Sequence, residues 1–151
     1  MVNLTSIGGP SGLSFAKQTA VVTCTDALSK GDVVLMTLAS GGFAACTKSV
    51  SANTLPANII GVALADVAAG AKGQIGLKGV FSVNCAANMD ANTSGSVGSV
   101  TGQLVALSGN PAADGSAYAK MVGIALADTT TAGDLTSVLF DGINGFAAQS
   151  N

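Results

Sequence analysis

Ile60-Gly61-Val62-Ala63-Leu64-Ala65-Asp66 returns, 62 residues later, as Val122-Gly123-Ile124-Ala125-Leu126-Ala127-Asp128. Each copy runs into a small-residue turn, Val67-Ala68-Ala69-Gly70 in the first and Thr129-Thr130-Thr131-Ala132-Gly133 in the second. A second apolar alternation follows each turn, with Ile75 and Leu77 in one and Val138 and Phe140 in the other. An Ala-rich helix would also use Ala65, Ala68, Ala69 and Ala71. Three features decide for strand. Gly61 sits mid-segment, Ile59, Ile60 and Val62 are β-branched, and Gly70 ends the run too soon for a stable helix. Each copy therefore reads strand, turn, strand, and its apolar residues on both faces make it an inner strand.

Outward from the first copy, Gln74 to Cys85 alternates with period two. Ile75, Leu77, Gly79, Phe81, Val83 and Cys85 share one face, and Gly79 marks a bend or bulge. Upstream, Thr19 to Thr25 reads as a strand with Thr on one face. Val33 to Thr37 and Phe43 to Thr47 form a hairpin around Ser40-Gly41-Gly42. Downstream, Ala86 to Thr101 is a polar loop or a pair of short edge strands. Gly102-Gln103-Leu104-Val105 echoes Gly31-Asp32-Val33-Val34. Asn110 to Gly115 is a turn, and Ser116 to Lys120 alternates into the second copy. The chain is thus expected to be all-β. Two related strand-turn-strand halves, about 19–85 and 97–143, pack as one compact barrel or sandwich over 18–143. An extended arm (1–17) precedes the domain and a loose tail (144–151) follows it.

Composition limits the chemistry. The 151 residues are 48% hydrophobic but only 4% aromatic, with 20 Gly and no Trp, so the core is thin and built of small side chains. Charged residues are 9%, far below the roughly 25% of average proteins. All six bases are Lys and all eight acids are Asp. With no Arg and a net charge of −2 there is no basic stripe for nucleic acid. The start lacks a signal peptide, and no run of about 18 apolar residues exists to cross a membrane. The expectation is a soluble protein made in a cytoplasm. Cys24, Cys46 and Cys85 are too widely spaced for a metal knuckle and read as buried small hydrophobes in a reducing compartment.

No catalytic residue, cofactor or metal ligand is expected. The absence of His removes the usual general base and the commonest zinc ligand. Ser14-Phe15-Ala16-Lys17 matches S-x-x-K, but it lies in a Gly-rich arm rather than on a helix of a large fold. Asp66 and Asp128, equivalent in the repeat, read as turn formers. The arm itself carries Leu4, Ile7, Leu13 and Phe15 between Ser, Gly and Pro breakers. These four are the candidate partner contacts: the arm reads either as a disordered terminus or as a segment that orders against a partner surface.

Gly31-Asp32-Val33-Val34, then Gly61-Val62-Ala63-Leu64-Ala65-Asp66 with its Ala-Gly turn, then Gly79-Val80-Phe81, and finally Val122-Gly123-Ile124-Ala125, resemble the head decoration (capsid cement) proteins of tailed bacteriophages. The similarity spans roughly residues 19–142. It implies a compact, β-tulip-like fold on the outer capsid surface of a virion. Such proteins sit as homotrimers that bridge major capsid protein subunits and resist the pressure of packaged DNA. It implies no catalytic residue, cofactor, nucleic acid or membrane partner. The competing reading is a carbohydrate- or receptor-binding β-module of a phage fibre or surface appendage, for which only Tyr118 and five Phe supply aromatic platforms.

Overall fold

A computed structural model describes residues 17–39, 42–48, 59–86, 89–97, 102–106 and 121–143. The arm up to residue 16, the turn at 110–115, the strand expected at 116–120 and the tail lie outside these. Nine strands are described: β1 (Gln18–Thr23), β2 (Val33–Ala39), β3 (Gly42–Lys48), β4 (Ile59–Ala63), β5 (Lys72–Cys85), β6 (Ser94–Val97), β7 (Leu104–Ala106), β8 (Met121–Ala125) and β9 (Asp134–Asp141). The all-β expectation holds throughout the described residues, and both copies of the repeated phrase are strands.

β5 is the hub. At 14 residues it is the longest strand, and its side chains alternate in and out as the period-two pattern requires. Its first half pairs with β1 and β4, its second half with β9, and its last residue with β7. The hand-over falls at Gly79, whose φ of 130° only glycine adopts easily. The register of β1 also slips beside this point, between Gln18 opposite Lys78 and Thr19 opposite Gly76. The bend expected at Gly79 is therefore a change of partners.

From this hub the pairings run round twice. β1, β5, β4, β2 and β3 follow one another, and β3 returns to β1 through a parallel bridge between Cys24 and Cys46. β5, β9, β8, β6 and β7 repeat the circuit, and β7 returns to β5 through a parallel pairing of Cys85 with Leu104. Each circuit is a curled sheet whose edges meet at one bridge. The hydrogen bonds at the two seams match: Thr25 N donates to Cys46 O at 2.9 Å, and Ala86 N to Leu104 O at 2.8 Å. The structural repeat therefore divides at Gly79, inside the stretch that hydrophobic patterning assigns to the first half. One strand ends the first ring and begins the second.

This register also identifies a different counterpart for β2. Val33 faces Val62 and Val34 faces Gly61; in the second ring Ser94 faces Ile124 and Gly95 faces Gly123. β6, preceded by Asn92-Thr93, thus occupies the place of β2, preceded by Gly31-Asp32. Gly31 and Asn92 share a left-handed backbone, with φ of 90° and 69°. Gly102 to Leu107, which echoes Gly31 to Met36 in sequence, instead leads into β7, the counterpart of β3. Hydrophobicity misleads here because β6 is Ser-Gly-Ser-Val; Gly102 also has positive φ, at 77°, so the pairing register alone marks the counterpart.

Two buried clusters fill the structure. Val22, Cys24, Leu28, Val34, Met36, Cys46, Ile75 and Leu77 belong to the first ring. The second cluster takes in Phe81, Val83, Cys85, Met89, Val138 and Phe140, together with Val33, Leu35, Ile60 and Val62 from the other face of β2 and β4. β2 and β4 are thus the wall between the two cores, which is why apolar residues occupy both of their faces. Phe81 and Phe140 meet edge to face, ring centroids 6.4 Å apart. The repeated glycine makes room across the sheet: a Cβ on Gly61 would run into Ile75, and one on Gly123 into Val138.

Candidate interaction surface

Several of the described aspartates are tied to the backbone. Asp66 Oδ1 accepts Lys30 N at 2.8 Å, and Asp128 Oδ1 accepts Ala91 N at 2.7 Å, the same tie in each ring. Asp26 accepts Lys48 N and Asp134 accepts Thr131 N. A short carboxylate reaches an adjacent N–H directly, as in these four. Asp66 and Asp128, read from the sequence as turn formers, instead clamp a loop distant in sequence: their partners lie 36 and 37 residues away.

Asp32 is a deeply buried carboxylate, 3% exposed, with a charged partner. Its Oδ2 accepts Ser29 N at 2.8 Å and lies 3.1 Å from Lys48 Nζ, and its Oδ1 accepts Asn84 Nδ2 at 3.3 Å. It joins the start of β2 to β3 and to the second half of β5. Lys78 and Asp141, 3.4 Å apart, make a more exposed pair between β5 and β9. Among the described residues no three His, Cys, Asp or Glu side chains converge.

All three cysteines are free and buried. Burial pushes the Cys85 thiol up to about 11. Burial also raises Cys46, reinforced by the neighbouring Cys24 and by Asp26. Thiols held protonated in this way are poor nucleophiles.

Alongside exposed Lys and Asp, three large apolar side chains face outward among the described residues. Val21 is 67% exposed, Leu135 48% and Leu126 47%. A cleft of about 450 Å³ opens where the rings meet, lined by Lys17 and Lys30, by Leu64 beyond β4, and by Val80, Phe81 and Ser82 of β5. Lys17 Nζ lies 5.6 Å from the centre of the Phe81 ring, a cation–π contact. Lys17 is the one residue of the expected arm (1–17) that is described. Leu4, Ile7, Leu13 and Phe15 themselves lie outside the described residues. The cleft was not anticipated from sequence, because its walls come from five separated segments, around residues 17, 30, 63–64, 80–82 and 137.

The sequence matches no protein-family model, and no curated protein matches it. Among solved structures it is similar to the crystal structure of the head fiber gp8.5 N base of bacteriophage phi29. The TM-score is 0.58 at 12% identity, over 89% of this chain and 100% of that one. At that identity the likeness is one of fold: this all-β architecture is also the architecture of a head fiber base.

Proposed function

We propose that this chain is a structural protein of a tailed-phage particle, a decoration or cement protein. It binds the outer surface of the capsid, bridges major capsid protein subunits and stabilises the DNA-filled head. The supporting observation is the fold it shares with a protein named as a phage head fiber base. The resemblance of its strand motifs to the capsid cement family points the same way. In this reading it is made in the bacterial host cytoplasm, is not an enzyme, and needs neither cofactor, nucleic acid nor membrane.

The surface chemistry suits adhesion. Short neutral side chains lose little entropy when they dock, and exposed Val21, Leu126 and Leu135 offer apolar area. Self-association into a trimer would supplement a core poor in large side chains. The arm, through Leu4, Ile7, Leu13 and Phe15, contacts the capsid or a neighbouring protomer.

Purified DNA-filled heads test this. The full chain should co-purify with them in near-stoichiometric amount, and a chain lacking residues 1–15 should keep its β-type circular dichroism but lose head binding. Undiminished binding of the shortened chain would remove the arm from the interface. Absence of the full chain from heads would overturn the proposal. The identity of the structural neighbour also favours a second reading, a carbohydrate- or receptor-binding module of a fibre, and a glycan-binding screen separates the two.

A further inference from the structure

We propose that Cys24 and Cys46 are a reversible cross-link site, closing as a disulfide that locks the seam of the first ring. Their Sγ atoms are 2.8 Å apart, nearer than non-bonded sulfurs normally sit. The parallel bridge between these two residues places them on adjacent strands. Neighbouring strands run about 4.8 Å apart, within the Cα separations of about 4.4–6.8 Å that a disulfide spans. Neither residue needs to move to another element for the bond to form.

The second ring serves as an internal control. Cys85 and Leu104 hold the same two seam positions and are equally buried. Packing at a seam is therefore satisfied by a thiol against an aliphatic side chain. A facing pair of thiols adds one capacity that the second seam lacks, covalent closure. Cys85 faces Leu104 and remains a thiol.

The co-reactant is a small-molecule disulfide such as oxidised glutathione. One of the two thiols loses its proton and attacks that disulfide, releasing one small thiol and forming a mixed disulfide. The other thiol then attacks the mixed bond and releases the second. Two protein thiols are oxidised, one small disulfide is reduced, and the two protons end on the released thiols. Both sulfurs are shielded when the ring is closed, so exchange proceeds through opening of β3, which lies at the end of the strand order. On a particle released from a cell, where no thiol pool keeps cysteines reduced, the lock would close. That last step alone rests on the virion reading above.

The test uses the full wild-type chain. Equilibrated with oxidised glutathione, denatured in acid, alkylated and cut after lysine, it yields peptides 18–30, 31–48 and 79–120, each holding one cysteine. The expected product joins 18–30 to 31–48 and leaves Cys85 alkylated. Because the loop closed spans 22 residues, the oxidised chain should also melt about 5–10 °C higher than the reduced one. Three alkylated cysteines, glutathione stalled on Cys24 or Cys46, or a link that includes Cys85 would each overturn the proposal. Because the measurement is chemical and made on the isolated chain, its failure is distinct from a failure to bind heads.

Discussion

In the first ring Cys24 meets Cys46 at the seam, and in the second Cys85 meets Leu104. The comparison extends round both circuits. Leu28 and Val67 exchange two backbone hydrogen bonds, at 2.8 and 2.9 Å. Their counterparts Met89 and Thr129 keep one, Thr129 N to Met89 O at 2.8 Å. The Thr129 hydroxyl takes over the other, accepting Met89 N at 3.3 Å. Ile75 and Leu77 become Val138 and Phe140. Core side chains have exchanged freely within an apolar class, as volume-tolerant cores allow. The features both rings retain act on the backbone: a left-handed residue before β2 and β6, a glycine against which a β-branched side chain packs, and an aspartate that clamps a neighbouring loop. A duplicated sheet keeps whatever sets its register.

The largest expected effect tests whether the rings are independent. Phe140→Ala and Leu77→Ala remove equivalent side chains, one fully buried and one 7% exposed. The first should cost about 3–5 kcal/mol and the second about 2–4 kcal/mol. Because β5 belongs to both rings, each variant should unfold in a single denaturant transition and lose hydrogen-exchange protection in both. Two separated transitions would break the picture of a shared strand.

Next in size are the repeated glycines. Gly61→Ala and Gly123→Ala should each destabilise by about 1–3 kcal/mol as Ile75 or Val138 is pushed aside. Gly61 should cost more, since its Cβ would also crowd Gly76 O. Equal midpoints in urea would show that the first ring is no more tightly packed than the second.

The smallest effect is a pH dependence at the second seam. The folded-state value of Cys85, about 11, lies above its ordinary 9.0. Its contribution is therefore complete below pH 9 and declines as pH rises from 9 towards 11. At pH 10 the loss should be on the order of 1 kcal/mol. Cys85→Ala, less stable at pH 7, should show a correspondingly shallower alkaline decline. An unchanged slope would mean that Cys85 ionises freely in the folded state.

Much of this was legible in the residues. Period-two alternation in Gln74 to Cys85 and the doubled phrase at 60–66 and 122–128 identified strands, because side-chain alternation is a local consequence of the extended backbone. The role of the aspartates at the ends of the two phrases was not legible: they read as local turn formers, yet each accepts an N–H of a loop far off in sequence that only the folded sheet brings near. Nor was the partnership of β6 with β8. Ser94-Gly95-Ser96 carries no apolar pattern, and its register comes from the left-handed Asn92 and the partner glycine Gly123.

The sequence by itself determined the elements: strands from alternation, turns from Gly and Asp, and the duplication from the repeated phrase. Only the tertiary structure decided how those elements meet. It set the change of partners at Gly79, the shared wall of β2 and β4, the cleft at Lys17 and the approach of Cys24 to Cys46. The physical reason is that a strand's conformation is written in its own residues. Its neighbours are chosen among distant segments of similar polarity, and the choice falls to register, close approach and burial that exist only once the sheet has curled.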